Sequence, residues 1–325
     1  MKIAINGFGR IGRMTLRALQ DKSNIEVVAI NDLTDITTLA HLLKYDSVHG
    51  RFPGEIVVDG DNIIVNGNPI KLISEKDPEK LPWKELEVEA VIESTGRFTS
   101  KVAAEAHLRA GAKKVLITAP AGSDVKTIVH GINNELIGDD QIYSTASCTT
   151  GGIAPILYVL DKEYGIESGY MATVHAFTSD QNLQDLPHRD LRRARAASLN
   201  IIPSTTGAAK AIGDVLPSLK GKLDGHSYRV PVPDGSIVDL SLNLKKEVPV
   251  AELNAILKHY AENSLKGILE YTEEPLVSSD IIGNRHSSIV DAAMSRSIGK
   301  MAKVVAWYDN EAGISNRISE LVSLI

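Results

Sequence analysis

The only cysteine in 325 residues, Cys148, lies in the run Ser144-Thr145-Ala146-Ser147-Cys148-Thr149-Thr150. A helical pattern from Ile153 to Tyr164 follows, so the sulfur is expected at or near a helix N-terminus. The unpaired N–H groups and positive dipole end there favour thiolate, the reactive form, over thiol. A lone cysteine is also commonly a small buried hydrophobe, and it becomes a candidate nucleophile only beside a base. A distant histidine, His175, lies within Val174-His175-Ala176-Phe177-Thr178. A histidine in an apolar run is more often a satisfied core residue, and spacing alone does not bring it to Cys148.

A second constellation opens the chain. The apolar run Lys2 to Asn6 leads into Gly7-Phe8-Gly9-Arg10-Ile11-Gly12, then a helical pattern, then the apolar run Ile25 to Ile30 and Asn31-Asp32. Strand, G-x-G-x-x-G, helix, strand and acid, with Asp32 standing 20 residues beyond Gly12, form the dinucleotide-binding fingerprint. Gly7 permits the tight turn, Gly9 lets backbone approach a pyrophosphate, and Gly12 allows close helix–strand packing. Asp32 can accept from ribose hydroxyls and repels a 2′-phosphate, which favours NAD over NADP. Two further groups suit anions: the cluster Arg192-Arg193-Ala194-Arg195, and Ser204-Thr205-Thr206-Gly207 entering a helical pattern. The arginine cluster equally suits a solvated face or a subunit contact.

These residues need two kinds of scaffold. Upstream of Cys148, short apolar runs alternate with helical patterns, the signature of a parallel sheet. Strands are expected at Ile56 to Ile73 (two or three, with turns at Asp59-Gly60 and Asn66-Gly67), Ala90 to Glu93 and Lys114 to Ile117. Helices are expected at Ile36 to Leu43 and Ser100 to Ala110, and strand ends put Thr95 and Thr118 at the ligand crevice. Downstream, strand patterns at 168–178, 226–232, 236–244, 267–271 and 301–307, with one intervening helix at 250–263, imply a mixed or antiparallel sheet backed by helices. The expected architecture is α/β and α+β: a Rossmann-type NAD-binding domain over 1–147 and a catalytic domain over 148–314. The C-terminal helix, 315–325, packs back onto the first domain.

Composition bounds the rest. Apolar content of 43% and charged content of 23% are ordinary for a globular protein, and the formal charge of −6 argues against nucleic acid as a primary partner. One cysteine excludes an intramolecular disulfide and fits a reducing compartment. No apolar run is long enough for a membrane span, and the N-terminus lacks signal-peptide architecture. A cytoplasmic location is expected. No metal site is expected.

Over essentially its whole length the sequence resembles the phosphorylating, NAD-dependent glyceraldehyde-3-phosphate dehydrogenase family. The resemblance is carried by Ile5 to Arg13, Leu43 to Gly50, Glu93 to Phe98, Ala146 to Thr150, Asp190 to Ala197, Pro203 to Lys210 and Trp307 to Glu311. It implies Cys148 as nucleophile and His175 as base. It implies an NAD site of Arg10, Ile11, Asp32, Thr118 and Asn310, with Lys76 where an adenine-side arginine is common. Ser147, Thr149, Thr178, Arg193, Thr206, Gly207 and Arg229 would share the phosphate groups of glyceraldehyde 3-phosphate and inorganic phosphate. It further implies a homotetramer with 179–200 at a subunit interface.

Several positions depart from the family pattern. Gly151 and Gly152 open the catalytic helix, at a cost of about 1 kcal/mol each relative to alanine. Phe177 and Ile314 stand where tyrosines are usual, Ala312 replaces a bulky residue, and Asp234 replaces an asparagine. The alternatives are an erythrose-4-phosphate dehydrogenase with the same layout, and a non-catalytic NAD-binding paralogue.

Overall fold

The computed structural model describes residues 1–325, which divide into two compact units. The first comprises Met1–His130, Asn134–Ala146 and Ser315–Ile325, and the second Gly131–Asn133 and Ser147–Ile314. No helix is long and apolar enough to cross a membrane.

The first unit begins with β1 (Lys2–Asn6), α1 (Arg10–Leu19), β2 (Glu26–Asn31) and α2 (Ile36–Lys44). A small hairpin of β3 (Tyr45–Asp46) and β4 (Gly50–Arg51) precedes β5 (Ile56–Asp59), β6 (Asn62–Val65) and β7 (Asn68–Ile73). Then come β8 (Ala90–Glu93), α3 (Lys101–Arg109), β9 (Lys114–Ile117), β10 (Lys126–Thr127) and β11 (Ile142–Ser144). The main sheet runs β10-β11-β9-β8-β1-β2-β7-β6-β5; β10 to β7 are parallel, and β6 and β5 turn back antiparallel.

Ile3, Ala4 and Ile5 are fully buried, as a central parallel strand covered on both faces requires. The chain builds outward from β1 through β2 to β7, then returns to β8 on the other side of β1. The strand order therefore reverses between β1 and β8, and a crevice opens at their carboxyl ends. The Asn66-Gly67 turn has both φ angles positive (50° and 83°), the twist a tight hairpin needs.

The second unit begins with α4 (Cys148–Tyr164), β12 (Ile166–Ala176), β13 (Ile202–Thr205), α5 (Ala208–Val215) and β14 (Leu223–Val230). It continues through β15 (Ser236–Leu244), α6 (Val250–Glu262), β16 (Leu269–Thr272), β17 (Ser288–Asp291), β18 (Arg296–Ile298) and β19 (Met301–Tyr308). Its sheet runs β13-β14-β12-β15-β19-β17-β16, with β18 paired to β19. β12–β14 and β16–β17 are parallel and the other pairings antiparallel, so the sheet is mixed. Helix α4 packs across β12, β15, β17 and β19 on one face, and α5 packs on α4 and β14.

Three of the differences from expectation have a clear physical reason or consequence. The strand expected over 168–178 runs from Ile166 to Ala176, which leaves Phe177 and Thr178 beyond it. The last helix, α7 (Ala312–Leu321), starts three residues before Ser315, because the Asp309 carboxylate accepts from the Glu311 and Ala312 N–H groups and nucleates it there. The third is β17, which carries no alternation because all four residues are buried, and it is invisible to a period-2 reading.

Candidate active site and cofactor cradle

In β12 the residues Met171, Thr173 and His175 face the helices, while Tyr170 and Val174 point outward. A two-residue period thus puts His175 on the face that α4 covers. His175 is in register with Arg229 of β14, and Ser236 of β15 with Tyr308 of β19. Four side chains far apart in sequence therefore converge at one end of the sheet. There α4 begins, its first residue Cys148 preceded by Ser147, whose Oγ accepts from the Thr150 N–H (3.1 Å). Ala146, before the cap, has φ of 63°, a left-handed conformation uncommon for alanine, and redirects the chain into the helix.

Cys148 Sγ lies 3.4 Å from His175 Nε2. His175 Nδ1 is 2.7 Å from the Ala176 carbonyl, which only an N–H can satisfy, so Nδ1 carries the proton and the Nε2 lone pair faces sulfur. Burial pushes the Cys148 thiol up, with Arg229 and the Thr149 N–H and hydroxyl pulling it back down. Burial, reinforced by Arg229, pushes the His175 imidazolium down to about 3. A lone thiolate or a lone imidazolium is thus penalised. Proton transfer from Sγ to Nε2 creates both charges together, each compensating the other.

Beneath this pair lies Tyr308, fully buried, its ring edge-on to the imidazole at 5.8 Å. Thr173 Oγ1 donates to the Ile237 carbonyl (3.1 Å) and so accepts from the Tyr308 hydroxyl at 2.8 Å; Thr149 then donates to that hydroxyl at 3.0 Å. A Cβ on Gly152 would stand 3.3 Å from the Tyr308 ring. The helix-propensity cost expected at Gly152 therefore secures close ring packing, whereas Gly151 meets nothing within 4 Å.

Asp234 is fully buried, and burial together with the charge of Asp309 pushes its carboxyl up to about 9. It is a protonated, neutral group at physiological pH, close in shape and charge to the asparagine it replaces. Two residues on, Ser236 Oγ donates to Asn310 Oδ1 (2.7 Å) and fixes the orientation of that buried amide. Ala312 and Ile314 are buried as well.

Arg229 Nη1 donates to the Ala176 carbonyl (3.0 Å) and Thr178 Oγ1 (3.1 Å), while its Nε is a buried donor with no protein acceptor. Gly207 caps α5 without a side-chain hydrogen bond, and Thr206 Oγ1 accepts from the Ala208 N–H (3.2 Å). Two expected phosphate ligands are differently engaged. The Thr149 side chain is turned into the interior toward Tyr308, because its place in α4 points it at the sheet. Arg193 is clasped by Asp180, with Ser204 Oγ accepting from its Nε at 2.9 Å, so an incoming anion has to displace a carboxylate.

The cradle of the first unit is built mostly from backbone. A cavity of about 520 Å³ at the carboxyl ends of β1, β2 and β8 is lined by Gly7, Gly9, Asp32, Lys76 and Thr95 among the expected residues. A Cβ on Gly7, whose φ is 90°, would stand 2.7 Å from the Thr95 nitrogen, and one on Gly12 would stand 2.2 Å from the Gly7 carbonyl oxygen. Gly9 has open space before it, the approach a pyrophosphate needs. Asp32 accepts from the Phe8 N–H (2.7 Å) and the Thr34 N–H (2.9 Å), each oxygen keeping a lone pair.

Arg10, Ile11, Gly12 and Thr118 do not line this cavity. The Arg10 guanidinium grips Asp46 through both oxygens (2.6 and 3.3 Å), and Thr118 Oγ1 donates to the Glu93 carbonyl (3.1 Å). Sequence reasoning missed Asn6, Asn31, Leu33, Glu75, Pro78, Ser94, Arg97 and Phe98 of the lining. Asn6 and Asn31 were legible as polar ends of apolar strands.

Comparison with known proteins identifies the family. Residues 1–101 match the model of the glyceraldehyde 3-phosphate dehydrogenase NAD binding domain, so the cofactor is NAD, and residues 147–310 match that of the C-terminal domain. The chain is 56% identical over 328 residues to glyceraldehyde-3-phosphate dehydrogenase of Geobacillus stearothermophilus, covering 100% of this chain and 98% of the relative. It is 54% identical over 333 residues to that of Mycobacterium avium, and 54% identical over 328 residues to glyceraldehyde-3-phosphate dehydrogenase 1 of Bacillus subtilis, with the same coverage. With a glycine-built dinucleotide cradle, a cysteine–histidine pair and full-length identity above one half, the chain belongs to the glyceraldehyde-3-phosphate dehydrogenase family.

Proposed function

We propose that this chain oxidises glyceraldehyde 3-phosphate to 1,3-bisphosphoglycerate with NAD and inorganic phosphate, the first unit holding the cofactor and the second the reacting groups. The observation that carries the reading is the 3.4 Å approach of Cys148 Sγ to the unprotonated Nε2 of His175. Nε2 takes the thiol proton as sulfur adds to the aldehyde carbon and returns it to the former carbonyl oxygen, which gives a hemithioacetal on Cys148 and frees Nε2 again. His175 then accepts the hemithioacetal hydroxyl proton while the carbon gives up hydride. Bound NAD supplies the hydride acceptor. The residual acyl group stays on sulfur as a thioester until a phosphate oxygen attacks its carbonyl carbon, expelling the thiolate and releasing an acyl phosphate. The Cys148 N–H, at the α4 N-terminus, suits the oxyanion that forms in each addition.

Phosphate recognition falls to Arg229, Thr178, Thr206 and Gly207, with Ser147 and Arg193 at the margin. The buried, unaccepted Nε–H of Arg229 is what an anion's oxygen would satisfy, and a guanidinium presents planar paired donors to it. Asn310, held by Ser236, serves the nicotinamide amide; Asp32 and Lys76 serve the adenosine end. We assign a homotetrameric, cytoplasmic enzyme to the chain. NADH formation from glyceraldehyde 3-phosphate, measured with and without inorganic phosphate, tests the reading. Turnover is expected to require phosphate; equal turnover without it refutes acyl transfer to phosphate.

A further inference from the structure

The cradle rests on a buried polar chain to which the chemistry gives no task. Glu93, the last residue of β8, is 1% exposed, and His107 of α3 and Trp83 are fully buried. Trp83 Nε1, a donor only, lies 3.0 Å from His107 Nδ1, so Nδ1 accepts and the ring proton is on Nε2. That Nε2–H donates to Glu93 Oε2 at 3.0 Å. Asn6 Nδ2 donates to the same oxygen at 2.6 Å, which accounts for the 3.4 Å approach of the Asn6 and His107 nitrogens as two donors sharing one acceptor.

The other oxygen, Oε1, accepts from the Thr95 N–H at 2.8 Å and from the Thr95 hydroxyl. Thr95 Oγ1 in turn accepts from the Arg97 N–H (3.0 Å), and the Phe98 ring stands edge-on to His107 at 6.3 Å. Asn6 Oδ1 accepts from Asn31 Nδ2 (2.7 Å), whose amide also fixes Glu75 through its N–H (2.9 Å) and carbonyl (2.9 Å). Each branch ends on a wall of the cofactor cavity: Asn6, Asn31, Glu75, Thr95, Arg97 and Phe98 all line it.

We infer that His107 is a positioning residue for the adenosine half of NAD, holding the walls of the cavity in their binding arrangement through Glu93. The ring carries one proton and one lone pair at fixed positions between Trp83 and Glu93, so it works as a two-ended strut. Removing it leaves a buried indole N–H without an acceptor and Glu93 short of a donor, a combination that loosens Thr95 and Asn6 together. Because every member lies in the first unit, the effect falls on cofactor binding and spares acyl transfer. The inference rests on the assignment of this cavity to NAD.

Calorimetry of the full chain with NAD and with ADP-ribose, alongside steady-state kinetics, tests it. His107→Phe is expected to weaken both ligands about tenfold. KM for NAD should rise in proportion, with kcat at saturating NAD within about twofold of the parent. His107→Gln, whose amide can accept from Trp83 and donate to Glu93, should recover most of the affinity. Trp83→Phe keeps a ring of similar bulk and deletes only the donor; a roughly threefold loss is expected, and it serves if His107→Phe does not fold. Unchanged ADP-ribose affinity in both ring variants overturns the inference, as does a loss confined to kcat or an absence of rescue by glutamine. Failure of the parent protein itself to bind ADP-ribose would instead refute the assignment of the cavity.

Discussion

The cradle of the first unit and the reacting site of the second are encoded in opposite ways. Between Asn6 and Asp32 the chain supplies a strand end, a glycine turn, a helix start and an acid, and the ligand-facing surface is largely backbone. The reacting site takes Cys148 from a helix start, His175, Arg229 and Tyr308 from three strands, and is brought together only by sheet register. A local motif resists displacement but tolerates no side chain where backbone must approach. A register-built site accepts varied surroundings, provided the strands stay in step.

The sharpest way to break that comparison is at sulfur. Cys148→Ser should reduce turnover by about 10⁴-fold or more, with NAD affinity within about twofold by calorimetry. A large loss of NAD binding would show that the two sites are not separately encoded. The counterpart in the first unit is Gly7→Ala, which puts a methyl against the Thr95 nitrogen in a left-handed backbone conformation. NAD affinity should fall by about 100-fold while alkylation of Cys148 proceeds at its parent rate.

Next in size is Arg229→Gln. Loss of the guanidinium removes a charge that lowers the Cys148 thiol, so the pH midpoint of alkylation should rise by about one unit and kcat/KM for the phosphorylated aldehyde fall by 10- to 100-fold, roughly. An unmoved alkylation profile would take Arg229 out of the electrostatics of the pair. Asp32→Gly should narrow the NAD-over-NADP preference by about tenfold, measured as a ratio of kcat/KM values. An unchanged ratio would assign the choice to another wall of the cavity.

The smallest effect is on stability. Unfolded, Asp234 loses its proton above the ordinary 3.8, whereas the folded chain keeps it to about 9. The unfolded state thus binds fewer protons across that window, and the native state loses stability as pH rises from about 4 to 9. Asp234→Asn should abolish that slope. Urea unfolding at pH 5 and pH 8 checks it: the gain of the variant over the parent should be larger at pH 8, and an equal gain would mean that the carboxyl is ionised in the fold.

Legibility followed the same division. G-x-G-x-x-G with Asp32 could be read directly, as could the strands from β5 to β9, because turn chemistry and periodicity are local signals. The position of Cys148 at a helix start was also legible from the small polar run before it. The proximity of His175 was not, since it depends on β12 presenting its odd-numbered residues to α4 and on β14 pairing in one particular register. Arg193 held by Asp180, and Thr149 turned to Tyr308, are tertiary choices that spacing does not reveal. The burial that keeps Asp234 protonated is another, and it turned an apparent gain of negative charge into a near-isosteric exchange.

The bare α-carbon at position 152 has a wider consequence. Because the Tyr308 ring leans on it, and because that phenol ties Thr149 to Thr173, any side chain introduced there presses on the scaffold that sets the gap across which the proton moves. The spacing of acid and base is therefore adjustable from a site that touches neither. A graded series at that one locus would press on that scaffold by degrees while replacing none of the reacting groups.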